Sequence, residues 1–409
     1  MRQSRLQIPA ERPSPRSRRI KTLTSAIAAF GLFCLAGATV ARAQGDLTLT
    51  IAGKEEVVAT AEQMNCQPKR GRGIDVTDMP VSAFRRADGS VILLAGNRFN
   101  WFFEGPNLDQ VRRKSCDQIL ESAESSDPSQ YRDKEWVTAL YSKDGKYVLG
   151  FVHNEYHGED HGQSECVIRN AGDRVCWYAS STMIESRDGG RSFNRPPVPS
   201  SVLISLPYEY KPGMRRGGVS VPKAVGNPKD GKVYVFASYV DRNTGARIGQ
   251  CVFRNAGTEL TGWEMWSGNE FKKFDSNPYA CNGACTGNRT ACQPVMDDNI
   301  FSVRYVPAKQ MFVALGFRQD KVIYRSSTDL VNWSERKVLL EAPQFMQWKQ
   351  GDAGRPQWYY SLLDPTSGSR NFDTLESKPY LYFTRFRVDN GRINNARRDL
   401  VRVPLRMEQ

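Results

Sequence analysis

Three stretches of this chain carry one plan: VSAFRRADGSVILLAG (81–96), WVTALYSKDGKYVLGFVH (136–153) and GVSVPKAVGNPKDGKVYVFASYV (218–240). Each is an apolar run, then Asp-Gly, then a second apolar run. Asp-Gly supplies the positive-φ positions that a tight turn between antiparallel strands requires, so each stretch reads as a β-hairpin. Two more, IFSVRYVPAKQMFVALGF (300–317) and WYYSLLD…KPYLYFTRF (358–386), follow with different turns. Helix signals are scarce. Five hairpins at intervals of roughly 50–90 residues suit blades with inserted loops. The expected fold is all-β, a five-bladed β-propeller over 75–409, with residues 44–74 packing on it or closing it.

The outer halves repeat as well. Ser186-Arg-Asp188-Gly-Gly190-Arg-Ser192-Phe193 fits the Asp-box pattern S-x-D-x-G-x-[ST]-[WF], Ser327-Thr-Asp329-Leu-Val-Asn-Trp333 fills the corresponding slot two blades later, and a weaker version ends at Trp263. The Asp carboxylate bonds the amides of a tight turn while the aromatic packs between strands. That is a structural device without a catalytic role.

The N-terminus reads as an export signal. Arg18, Arg19 and Lys21 precede an uncharged apolar run, and Ala41-Arg42-Ala43 offers a cleavage site before Gln44. Residues 1–43 hold 8 of the 57 basic and 1 of the 44 acidic residues, so the remainder carries 49 against 43, a net +6. That balance gives no basic stripe for nucleic acid. No other segment is long and apolar enough for a membrane span. A monomer in the periplasm or outside the cell is expected. Eight cysteines remain after the signal, an even number that suggests disulfides in an oxidising compartment. Cys166 with Cys176 is the favoured local pair, and a zinc site is the rival reading for Cys281, Cys285 and Cys292.

STDLVNW followed by a return strand resembles the five-bladed glycosidases (arabinanases, β-xylosidases, invertases and anhydrogalactosidases), and DMPVSAFRRADGSV (78–91) is similar to their first blade, where an Asp opens the innermost strand. The chain also looks like secreted propellers carrying a HNEYHG-like segment. The resemblance implies a carbohydrate substrate and a carboxylate at Asp78. It departs from the pattern in the third blade, where KPGMRRGGVSVPKAV (211–225) offers no acid Glu.

Residues just before the first strand and just after the second strand of each blade share one mouth. The three histidines of the chain all fall within 153–161, and strand alternation puts His153, Glu155 and His157 on one face. Three readings stand: a hydrogen-bonded polar plug at the axis, a divalent metal site with His161 as a further ligand, or substrate binding with acid/base work. No cofactor is otherwise called for. Glycoside cleavage needs one protonated and one ionised carboxyl group. Asp78 is the candidate for the ionised role. Glu155 is the candidate acid, its pKa expected to rise by desolvation at the mouth. Asp298 is a third catalytic candidate that orients them, with turn capping as its structural alternative. The candidate substrate-binding residues are His153, His157, Asn97, Arg98, Tyr156, Arg216, Trp358, Tyr360 and Arg385. The aromatics among them, with Trp101, Phe102 and Tyr359 nearby, offer faces on which sugar rings stack, and the arginines suit a carboxylate or sulfate. The reading is a glycoside hydrolase acting on an extracellular or cell-envelope glycan. Its rivals are a non-catalytic glycan-binding propeller and a metal-dependent lyase or esterase using the histidine cluster.

Overall fold

The computed structural model describes residues 47–408 except 65, 68–73, 167–175, 242–246, 282–291, 344, 346 and 353; the expected signal and its cleavage site lie outside them. The described part is all-β, its helical content limited to 3-10 turns of three or four residues. Strands β1 (Thr48–Ile51) and β2 (Glu56–Ala59) precede a first group of β3 (Ser82–Arg85), β4 (Val91–Leu94) and β5 (Phe102–Gly105). A second group comprises β6 (Lys134–Tyr141), β7 (Val148–His157), β8 (Trp177–Ser186) and β9 (Val202–Ile204). After the short β10 (Gly217–Val219), a third holds β11 (Lys223–Gly226), β12 (Val233–Asp241), β13 (Arg247–Asn255), β14 (Glu264–Trp266) and β15 (Phe271–Lys273). The fourth is β16 (Asn299–Val306), β17 (Met311–Arg318), β18 (Lys321–Ser327) and β19 (Lys337–Glu341), and the fifth is β20 (Gln357–Leu363), β21 (Tyr380–Asp389) and β22 (Arg392–Glu408).

All five expected hairpins form: β3–β4, β6–β7, β11–β12, β16–β17 and β20–β21 pair antiparallel. The glycines of the three Asp-Gly turns, Gly89, Gly145 and Gly231, adopt φ of +87°, +79° and +69°, a region that L side chains disfavour. The N-terminal extension joins the last group, since β1 and β2 both pair with β22. One connection was not expected. β10 lies parallel to β8 and antiparallel to β12, joining the second and third groups into one hydrogen-bonded sheet. Gly218 permits it, because a Cβ there would come within 2.5 Å of the Ala179 Cβ.

The first strands of the groups neighbour one another in the order β3, β6, β11, β16, β20 and back to β3. Hydrogen bonds between groups tie them. Asn100 receives the Val137 N–H and donates to the Glu135 carbonyl, Thr138 donates to the Pro222 carbonyl, Asp373 accepts from the Gly226 N–H, Arg304 donates to the Leu362 carbonyl, and Ser361 donates to the Val81 carbonyl. Five apolar clusters lie between consecutive groups, the last between the fifth and the first around Phe103, Phe372 and Tyr382. At about 25 cal/mol per Å² of apolar area removed from water, these interfaces dominate the favourable side of folding.

Both full Asp boxes are structural, as expected. Asp188 Oδ1 accepts from the Arg191 and Ser192 amides and Asp329 Oδ1 from those of Val331 and Asn332, while Phe193 and Trp333 pack against neighbouring strands. Among the described residues, disulfides join Cys66 to Cys116, Cys166 to Cys176 and Cys251 to Cys292. The local Cys166–Cys176 pair is therefore present. The zinc reading loses Cys292 to a disulfide, and Cys285 lies outside the described residues. Among the described residues no helix is long and apolar enough to cross a membrane.

Candidate active site

β7 pairs with β8 over ten consecutive residues without a register shift, so its side chains alternate strictly and His153, Glu155 and His157 do share a face. Their side chains form one hydrogen-bonded row. Glu155 Oε1 lies 3.2 Å from His153 Nε2, and Oε2 lies 2.8 Å from His157 Nε2 and 3.0 Å from Trp177 Nε1. His157 Nδ1 is 3.4 Å from Glu159. Burial pushes the Glu155 carboxyl up, but the hydrogen bonds and charges of His153 and His157 outweigh it and hold the group well below the usual carboxylate range. This corrects the expectation of a raised pKa: desolvation acts as anticipated, and the flanking imidazoles win. An ionised carboxylate only accepts, so each imidazole presents its Nε2–H to Glu155. His153 Nδ1 is buried with no hydrogen-bond partner among the described residues. The indole N–H of Trp136, whose ring centroid is 6.0 Å from that of His153, is likewise buried and unpartnered. Two buried polar atoms left unsatisfied mark a place where a hydroxyl or water completes the hydrogen bonding.

Among the described residues no three His, Cys, Asp or Glu side chains are grouped so as to hold a metal ion. In this cluster the Nε2 atoms of His153 and His157 face the Glu155 carboxylate itself. His161 lies apart, its Nε2 3.1 Å from Asp133 and its ring stacked on Tyr156.

Beside Trp177 opens a cavity of about 420 Å³ lined by Trp177, Arg216, Ser220, Ser238, Asp297 and Asp298, among others. The Arg216 guanidinium lies 4.1 Å from the Trp177 ring centroid. Trp177, whose indole N–H donates to Glu155, thus connects the histidine row to the Arg216 side of this cavity.

Asp78 lies just before β3. Its Oδ1 is gripped by the Arg398 guanidinium and accepts from the Tyr359 hydroxyl at 3.2 Å, while Oδ2 takes no hydrogen bond among the described residues. Burial, then the charges of Asp78 and of Glu155, push the Tyr359 phenol well above its usual range. One hydroxyl therefore feels both carboxylates. Tyr359 has a φ of +57°, in the left-handed region that bulky residues avoid, at a bulge where β20 carries one more residue than β21.

The remaining candidates do not join this cluster. Tyr360 is 0% exposed, packed against Phe301 and Phe383, and Trp358 packs edge-on against Phe317 at 4.4 Å. The bulge turns Tyr359, rather than either neighbour, toward Asp78. Tyr156 falls on the opposite face of β7, buried, its hydroxyl donating to the Ser126 carbonyl. Asn97 is spent on its own turn, donating to the Val76 carbonyl and accepting from the Phe99 N–H. Arg98 lies over the Phe99 ring at 4.9 Å, and Arg385 is held by Glu55 of the N-terminal extension. Asp298 is closed off, since Arg325 and Arg336 each donate to one of its oxygens at 2.7 Å and its side chain is 0% exposed. Its structural reading is the one the geometry favours. Sequence reasoning missed Trp136, Trp177 and Arg398 and read Tyr359 as a stacking aromatic, not as a hydrogen-bond partner of Asp78. Only Tyr359, in the Trp-Tyr-Tyr run, carried a signal.

No protein-family model and no curated protein matches the chain. Solved structures do. It is similar to an N-acetylgalactosamine deacetylase from F. plautii (12% identity, 88% of this chain and 95% of that chain, TM-score 0.44). It is similar also to the endo-arabinase of Bacteroides thetaiotaomicron (11% identity, 82% and 99%, TM-score 0.40) and to the α-L-arabinanase of Penicillium chrysogenum (10% identity, 82% and 78%, TM-score 0.40).

Proposed function

We propose that this chain is an exported five-bladed β-propeller that hydrolyses a glycosidic bond in an extracellular or cell-envelope glycan. The cyclic order of the five first strands, with an apolar cluster between each consecutive pair of groups, supports the blade count. The observation that carries the chemistry is Tyr359, whose hydroxyl is acted on by both Asp78 and Glu155. That link supports reading the two carboxylates, which lie far apart in sequence, as the pair that glycoside cleavage requires.

The roles differ from the simple acid/base pair. Asp78 is the ionised partner, oriented by Arg398 and Tyr359, with Oδ2 directed to a water or an anomeric carbon. The proton is handled by the His153–Glu155–His157 row. Glu155 keeps both imidazoles oriented through their Nε2 atoms. The proton on His153 Nδ1, the ring nitrogen that Glu155 leaves free, goes to the leaving oxygen, Asp78 takes a proton from the attacking water, and exchange with solvent restores both groups. The sugar occupies the cavity beside Trp177, with its apolar face on the indole and its polar groups toward Arg216. The purified protein should release reducing ends from members of a polysaccharide panel, and Asp78→Asn and Glu155→Gln should each lose that activity. Full activity in both variants removes the assignment.

A glycan-binding role without catalysis is the second reading. It is favoured by the saturation of Glu155, whose two oxygens already serve three N–H donors. It calls for saturable binding to the same panel with no reducing ends released.

A further inference from the structure

A second polar site lies among the first strands themselves and shares no residue with the cluster above. A cavity of about 30 Å³ is lined by residues of β3, β6, β11, β16 and β20. Its charged lining residues are Lys223, Arg304 and Asp373. Lys223 is 6% exposed, and its ammonium has no hydrogen-bond or ion-pair partner among the described residues. Arg304 is equally buried and donates to the Leu362 and Val303 carbonyls. Asp373 does not offset Lys223 directly, since its oxygens are engaged by the Gly226 N–H and the Ser369 hydroxyl. The Ser82 hydroxyl, also on this lining, is buried and unpartnered.

Two features follow. With its ammonium protonated, the lining carries two positive charges against one negative, a net of one. It also has more donors than acceptors, because the Lys223 N–H groups and the Ser82 O–H find none. A water's lone pairs can accept from both groups, but it leaves the net positive charge in place and so cannot meet both demands. A species that only accepts, carries one negative charge and is monoatomic can.

We propose that this axial cavity binds one small monovalent anion of the halide class, held by Lys223, Ser82 and the charge of Arg304. Burial without a counter-charge pushes the Lys223 ammonium down to about 7, and an adjacent anion opposes that shift. The anion would sit where the five sheets meet, neutralising a charge otherwise sealed between them, and so acts on the stability of the ring. The inference does not depend on the chemistry at the mouth.

The experiment is thermal unfolding of the full protein at pH 6 in sodium gluconate, titrated with sodium bromide at constant ionic strength, together with bromide anomalous scattering from crystals. The expected results are a saturable rise in Tm with bromide, an anomalous peak between Lys223 and Ser82, and loss of both in Lys223→Met. Should Lys223→Met fail to fold, Ser82→Ala serves in its place and should shift the bromide midpoint upward several-fold. Equal Tm in bromide and gluconate, or a bromide effect of the same midpoint in wild type and variant, overturns the proposal.

Discussion

Replacing Glu155 with Gln separates the charge of this side chain from its shape. The carboxylate accepts three N–H groups, from His153 at 3.2 Å, His157 at 2.8 Å and Trp177 at 3.0 Å. An amide of the same outline has one oxygen, so it can accept on one side and must turn an NH₂ toward a donor on the other. Bonds to a charged acceptor contribute about 1.5–3 kcal/mol each, and a buried donor left unpaired costs about 1–3 kcal/mol. The variant should therefore be less stable by about 3 kcal/mol in urea denaturation at pH 7. The pH dependence gives a second readout. The folded-state pKa of Glu155 is depressed, while in the unfolded chain it is about 4.3. Its contribution is thus fully present above the unfolded value and is lost as pH falls through the folded one. The stability gap between wild type and Glu155→Gln should be flat from pH 8 to about 5 and close on acidification below about 4. Hydrolysis should fall by about 10²–10⁴-fold if the row handles the proton. A variant as stable as wild type, or a gap that widens as the solution is acidified, refutes the reasoning about Glu155.

Tyr359→Phe removes the hydroxyl between the carboxylates and leaves the ring, so turnover should drop about tenfold or more while urea stability changes by no more than about 1 kcal/mol. Asp298→Asn should cost about 3 kcal/mol because Arg325 and Arg336 lose a buried counter-charge, read as a shift of the urea midpoint. The pair Cys166→Ser, Cys176→Ser opens a loop of sequence separation 10 and should lower stability by about 2–3 kcal/mol, read as a shift of the urea midpoint in non-reducing buffer.

The hairpins were legible because their signals are local. Asp-Gly fixes a turn within two residues, and the Asp box closes its own loop through amides three and four residues on. The parallel insertion of β10 between β8 and β12 was not legible, since it depends on how closely Gly218 approaches Ala179, a residue 39 positions earlier. The fate of Cys292 was hidden for the same reason. Its partner Cys251 lies 41 residues away on a different strand, and spacing alone ranked the nearer cysteines first.

Side-chain facing follows the alternation along β7 and departs from it on β20, and the bulges explain the difference. β6, β16 and β20 each carry one residue more than the strand paired to them, at Val137–Ala139, Ile300–Ser302 and Trp358–Ser361. A strand at the narrow centre of a ring must bend, and an extra residue is how a paired strand bends. Each insertion resets the two-residue alternation from which the facing of side chains is inferred. On β20 it exchanges Tyr359 for Trp358 and Tyr360, burying the two expected contacts and presenting the third. β7 meets the β6 insertion from the regular side and runs against β8 without a break, so 153, 155 and 157 kept the face that alternation assigned them. Facing inferred from alternation therefore holds along a pairing without an insertion and fails on a strand that carries a bulge at the residues in question.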